Sequence, residues 1–287
     1  METIDETCSQ APAEDRRDQS ARIQSAGWLL EVSLDWIVLR ASENIHHLLG
    51  ESHVTLIDEP LGRFVHAQAL HDLRNLFSRL SATTGVARAY AVRLTDDPDL
   101  VDVAFQQSEG RILLEAVPSA GSFGEAFGSV GGLADGLSHD SGQALLNAAA
   151  RRMRALTGYD RVTLVCGDDR SESSRGGFAA PSQIGQLLTC MIADTEAPLV
   201  NVFPRETEES SVEAALLCAP PADALEALRA AGIRSALHVP FSGERTSGRF
   251  QCESRTPHRP NLELHAAAEL FAQLFAMRLD IDQLRHR

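Results

Sequence analysis

GWLLEVSLDWIVLRASENIHHLLG, Gly27–Gly50, is the stretch on which the reading of the fold turns. Apolar residues crowd Gly27–Ser33 and again Asp35–Ser42 across a tight polar connection, so two short strands are predicted. Ser42 is placed to cap a helix and Gly50 to stop it, which makes the next nine residues a short helix. Further on, Val65, Ala69, Leu73, Leu76, Phe77 and Leu80 recur at helical spacing and predict the longest helix of this half. Three strands then follow in a row: ARAYAVRL (87–94), DVAFQQS (102–108) and RILLEAVP (111–118). On the N-terminal side, residues 1–22 are polar and charged without periodicity, and read as a flexible arm.

Two strands, short helices and three more strands on one antiparallel sheet is the element order of a PAS domain, here 23–118. Residues 119–140 carry glycines at 121, 124, 128, 131, 132 and 136 and read as a linker; their spacing matches neither a dinucleotide-binding nor a phosphate-binding loop. From 141 to 287 the pattern changes. A helix capped by Ser141 and closed by Gly158 precedes the strand YDRVTLVC, a polar stretch Asp168–Gly177, and a helix near Ser182–Ile192. An extended Ala197–Phe203, an acidic loop Arg205–Glu213 and a helix Ala222–Gly232 come next. The strands Ser235–Phe241 and Ser247–Ser254 lead to one long helix, 261–287. That order is a GAF-type sandwich, so the fold class is α+β, two domains each with an antiparallel sheet flanked by helices.

The last helix carries two stripes. Leu270, Leu274, Met277, Ile281 and Leu284 step by 4, 3, 4, 3, a coiled-coil seam, while Leu264, Ala268, Phe271 and Phe275 line a different face. One stripe can cover the domain's own sheet; the seam is then expected to make a homodimer.

Composition excludes much chemistry. All 26 basic residues are arginine against 40 acidic ones, for a net charge of −14. Without lysine there is no Schiff base, no Walker-type loop and no kinase core. The negative balance argues against nucleic acid as a partner. Cys8, Cys166, Cys190, Cys218 and Cys252 are scattered and never spaced C-x-x-C, the N-terminus lacks a signal peptide, and no run is long enough to cross a membrane; a cytoplasmic location is expected. No serine lies in G-x-S-x-G. His46, His47, His53, His66 and His71 lack metal-ligand spacing, so no metal is assigned, although a helical histidine in a PAS domain can hold haem. The residues support a binding or signalling module, not an enzyme.

Several local patterns occur in one order: a cysteine in the arm (Cys8), IQSAGWLL (Ile23–Leu30), VLRASENIHHLLG (Val38–Gly50), LTGYDRV (Leu156–Val162), LRAAGIRSAL (Leu228–Leu237) and SGRFQCES. Together they resemble the PAS–GAF half of bacterial phytochromes over nearly the whole chain. The resemblance implies biliverdin in the GAF pocket attached through the arm cysteine, here Cys8. It also implies a figure-of-eight knot whose crossing isoleucine is Ile23. Key positions depart from the family. Its Pro-Ala-Ser-Asp-Ile-Pro aligns with Ala180–Gly185, so Ser182 and Ile184 remain while the aspartate is Gln183. A histidine usual in the next helix falls at about Ala224, and Ala-Cys-His-His becomes Gln251, Cys252, Glu253 and Ser254. The degenerate pocket is assigned to Ser182, Gln183, Ile184, Ala224, His238, Cys252, Glu253 and Ser254. Burying a bilin's polar groups without partners costs roughly 1–3 kcal/mol each. The expectation is therefore a bilin-free regulatory protein working through protein contacts, with no cofactor and a separate signalling output partner. The alternatives are a biliverdin photoreceptor using Cys8 and a sensor of haem or another small ligand.

Overall fold

The computed structural model describes residues 22–79, 86–108, 110–121, 124–178, 191–205 and 211–285. The first half contains β1 (Arg22–Gln24), β2 (Trp28–Ser33) and β3 (Val38–Ser42), then the single-turn helices α1 (His46–Leu49) and α2 (His53–Leu56). Helix α3 (Ala67–Ser78) and strands β4 (Val86–Val92), β5 (Val101–Ser108) and β6 (Arg111–Pro118) complete it. The ladder β3-β2-β6-β5-β4 is antiparallel throughout. Alternation along the strands sends Leu30, Val32, Val103, Phe105, Ile112 and Leu114 to one face, where they pack on Leu70 and Leu73 of α3. Gly50 ends the short helix at φ 76°, as its position predicts. Ser42 does not cap: its hydroxyl accepts the Leu29 N–H at 3.1 Å instead.

The second half contains α4 (Glu125–Asp135), α5 (Gly142–Thr157), β7 (Arg161–Cys166), β8 (Asp169–Ser174), β9 (Met191–Ile192) and β10 (Leu199–Phe203). Helix α6 (Ala222–Ala230), strands β11 (Ser235–Ser242) and β12 (Ser247–Ser254) and helix α7 (Leu262–Arg285) follow. Five strands form the sheet β8-β7-β12-β11-β9. Its inner face packs on α5 and α7 through Phe241, Phe250, Phe271 and Phe275, whose rings meet at 5.2–6.2 Å.

Five further expectations change. The glycine-rich linker contains an 11-residue helix, α4, because Phe127, Val130 and Leu133 find a core on α5 and α7. The polar stretch 168–177 contains strand β8, whose Ser171 and Ser173 are buried against Asn147 and Arg154 of α5. Of the helix expected near 182–192, residues 182–190 lie outside the described residues, and Met191–Ile192 is a strand. The extended 197–203 segment joins the first domain's sheet, not its own: β10 pairs with β3 through Val202↔Ser42 and Phe203↔Ala41. Ser141, too, is no side-chain cap; Asp282 of α7 takes the Gly142 N–H at 2.9 Å.

Candidate functional site

Strand alternation divides the second sheet into two chemistries. Val162, Leu164, Leu237, Val239, Phe250 and Cys252 enter the core under α5 and α7. Arg161, Thr163, Ala236, His238, Gln251 and Glu253 are left for the outer face. There His238, Gln251 and Thr163 stand in one row across β11, β12 and β7. His238 Nδ1 and Thr163 Oγ1 are buried and have no hydrogen-bond partner among the described residues. Burial, helped by Arg249, pushes His238 down to about 4, so its ring is neutral near pH 7. A neutral imidazole offers one donor and one acceptor nitrogen.

Two residues along, on the same face, Arg161 faces Glu253. Its Nε and Nη2 both donate to Glu253 Oε2, at 2.6 and 2.5 Å. Both side chains are almost wholly buried. Phe178 packs against the guanidiniums of Arg161 and Arg255, 4.7 and 4.2 Å from its ring centre. With Ile192, Ala224, Leu225, Leu228 and Ala236 it forms an apolar rim that brings α6 onto this face.

Of the residues assigned to the pocket from sequence, His238 and Glu253 share the outer face and Ala224 stands beside it. Cys252 and Ser254 do not belong there. The two-residue period of β12 turns them to the other side, where burial pushes the Cys252 thiol up to about 12 and Ser254 donates to Asp160 at 2.6 Å. Cys8, Ser182, Gln183 and Ile184 lie outside the described residues. Sequence reasoning missed Arg161, Thr163 and Phe178; the visible signal was a charged residue opening the otherwise apolar strand of LTGYDRV.

The two halves meet around β1. Arg22, Ile23 and Gln24 pair with Asn201, Val200 and Leu199 of β10 on one side. On the other, Ile23 bridges to Cys218, Gln24 N–H donates to Leu217 O at 2.9 Å and Ala219 N–H to Arg22 O at 3.0 Å. Ile23, fully buried, therefore stands between the two limbs of one loop, Leu199–Ala219. The Gln24 amide adds bonds to Met191 O at 2.6 Å and from Ala193 N–H at 2.9 Å. From the PAS side, Arg40 donates to Pro204 O at 3.0 Å and Gln106 to Ala214 O at 2.6 Å. Backbone atoms of the loop are thus gripped by side chains of the sheet.

Along α7, Ala268, Phe271 and Phe275 are buried and Leu264 and Leu274 half-buried, while Leu270, Met277, Ile281 and Leu284 are 44–56 % exposed. Among the described residues no group of three or more His, Cys, Asp or Glu side chains is placed to hold a metal ion, and no helix is long and apolar enough to cross a membrane.

A PAS-type sheet, a GAF-type sheet and a loop of the second clasping the N-terminal strand of the first define a PAS–GAF module. The family model for the PAS fold matches residues 15–118. No curated protein matches the chain. Among solved structures, it superposes on the chromophore-binding domain of an unusual bacteriophytochrome from R. palustris with a TM-score of 0.77 at 20 % identity, covering 97 % of this chain and 99 % of that one. The chromophore-binding domain of Stigmatella aurantiaca phytochrome P1 gives 0.74 at 22 % identity over 91 % and 97 %. Against the photosensory core module of a Stigmatella aurantiaca phytochrome the score is 0.76 at 20 % identity, and the chain, covered over 99 %, spans 62 % of that longer one. In fold, the chain is a bacteriophytochrome-like PAS–GAF module.

Proposed function

We propose that this chain is a non-catalytic PAS–GAF sensory or regulatory protein that holds no bilin and acts through protein–protein contacts. The supporting observation is the Arg161–Glu253 pair. A linear tetrapyrrole brings two carboxylates, and Arg161, the most buried cation on the outer face, is already engaged by a carboxylate of the chain itself. Displacing Glu253 would leave its charge in a low-dielectric site, a cost of several kcal/mol. The residues described on this face therefore do not fit biliverdin well. The Stigmatella and R. palustris structures are chromophore-binding domains; here the fold is kept and the Arg161–Glu253 pair neutralises itself. The exposed stripe Leu270–Leu284 supports homodimerisation through α7, with signalling output left to a separate protein.

A second reading rests on the row His238–Gln251–Thr163, whose two buried atoms without a partner among the described residues suit a small polar ligand. The bilin-free reading is tested by one preparation: the protein co-produced with biliverdin, its visible and near-infrared spectrum recorded with Cys8→Ser alongside. No red-absorbing band is expected. A covalent pigment lost in Cys8→Ser overturns the bilin-free reading, and a Soret band supports a haem sensor instead. Light scattering of the same sample is expected to give a dimer that Ile281→Glu dissociates; an unchanged dimer removes α7 from the interface.

A further inference from the structure

On the covered face of the first sheet, Arg88, Ala104, Glu115 and Leu29 occupy one transverse row across β4, β5, β6 and β2. Glu115 is only 3 % exposed. Its Oε1 accepts the backbone N–H of Leu216 at 2.8 Å and its Oε2 that of Leu217 at 2.9 Å. The carbonyls of the same dipeptide point elsewhere: Leu216 O accepts from Met191 of β9, and Leu217 O from Gln24 of β1. Two residues of the loop therefore tie together the PAS sheet, the N-terminal strand and the edge of the GAF sheet.

The surroundings of this carboxylate are sparse in charge. Ala104, Leu29, Leu216 and Leu217 carry none. Arg88 of β4 is the cation that acts on it, and its own Nη2 is bonded to Glu269 at 2.8 Å and His265 at 3.0 Å on α7. Burial pushes His265 down to about 4, so it stays neutral through the physiological range.

We propose that Glu115 is a proton-operated latch between the PAS sheet and the GAF loop, closed on Leu216 and Leu217 when ionised and releasing one of them when protonated. An ionised carboxylate presents acceptors only, and its two oxygens match two N–H donors. Protonation turns one oxygen into a donor facing a donor, so one backbone N–H loses its acceptor and the loop must shift to find another. Burial drives the group towards the neutral form, against the two backbone hydrogen bonds and Arg88, and places its titration at about 7. The linkage sign follows. The folded protein holds this proton more tightly than the unfolded chain, so the neutral group's contribution to global stability is fully present below the ordinary value of 4.5 and is lost as pH rises through about 7. Latch closure runs the other way, tightening as pH rises. The opposite signs separate the latch from a general pH effect.

The test uses the full-length chain. Amide exchange of Leu216 and Leu217, corrected for intrinsic rates, is measured by NMR from pH 5.5 to 8.5, with the Glu115 carboxyl carbon followed in parallel. Protection of at least one of the two amides is expected to rise about tenfold, the worth of one hydrogen bond, with a midpoint near that of the carboxyl. Glu115→Gln, which keeps one acceptor and gains a donor, is expected to stay flat at the low-pH level. Protection that ignores pH in the wild type, or a transition surviving in Glu115→Gln, overturns the proposal. Should Glu115→Gln fail to fold, Arg88→Met decides: losing the cation must move the midpoint upward, and an unmoved midpoint overturns the latch as described.

Discussion

Helix α4 exists on borrowed support, and Glu263→Ala should remove the support without disturbing the rest of the domain. The helix contains Gly128, Gly131 and Gly132, each costing about 0.8–1.0 kcal/mol relative to alanine, so roughly 3 kcal/mol in all. No side chain of its own caps it. Glu263 of α7, almost fully buried, does so instead: Oε1 accepts the N–H of Gly124 at 3.0 Å and of Ala126 at 3.1 Å. Loss of a helix cap costs about 0.5–2 kcal/mol, and loss of a negative charge at the N-terminus a further 0.3–1. Together these are about 2 kcal/mol, or roughly a thirty-fold rise in local opening. In hydrogen exchange read by mass spectrometry, peptides spanning 125–135 should lose about thirty-fold protection while β7 and β12 keep theirs. Glu263→Gln, with one acceptor left, should fall between. Adding Gly131→Ala and Gly132→Ala, where a Cβ meets open space, should restore about 1–2 kcal/mol. Protection of 125–135 that falls less than three-fold, or falls equally across the second sheet, would refute the capping argument.

Two further outcomes are expected from the junctions. A Cβ on Gly27 would stand 2.5 Å from Leu217 Cδ1 and 2.6 Å from Ala116 O, and the carbonyl belongs to a paired strand that cannot yield, so Gly27→Ala should cost about 1–3 kcal/mol in a denaturant titration; a variant as stable as wild type would show that the loop moves aside freely. Burial pushes Asp280 up, but hydrogen bonds from Thr246 Oγ1 and from the N–H groups of Glu244, Arg245 and Thr246 outweigh it and hold the carboxyl below its usual value. Its stabilisation is therefore present above the ordinary aspartate range and lost as pH falls through the lowered value. The stability gap between wild type and Asp280→Asn should be full at pH 6 and shrink on acidification below 4; a gap independent of pH would mean that the charge contributes nothing.

Much of the fold was legible because it rests on local periodicity. The strands of Gly27–Ser42, the helix ended by Gly158 and the long last helix all show their period directly; on α7 Phe271 and Phe275 are buried and Leu270, Met277, Ile281 and Leu284 exposed, while Leu274 of the 4-3 series is half-buried against the domain's own core. Features held by distant partners were not legible. The glycines of 121–136 read as a connector because their propensity is poor, and only the contacts of Phe127, Val130 and Leu133 reverse that. Strand β8, Asp169–Ser174, is polar along its whole length and was hidden for the same reason. At the candidate site, the motif alignment took Gln251–Ser254 as one run, but the period of β12 leaves Glu253 on the outer face with His238 and assigns Cys252 and Ser254 to the opposite side.

By itself the sequence determined an acidic, lysine-free, two-sheet α+β chain whose alternating strands each have one apolar and one polar face. It could not say what lies on the polar faces, because the period of a strand records which residues share a side and nothing about what covers them. Glu31 and Glu115 look like solvent-facing residues of half-buried strands. The tertiary structure buries both, the first against Arg40 and Arg111, the second on the backbone of Leu216 and Leu217. These partners lie up to 102 positions away in the chain. Hydrogen bonds to backbone N–H and C=O groups leave no mark on the identity of the residue that supplies them, so the clasp between the two domains becomes visible only once the chain is folded.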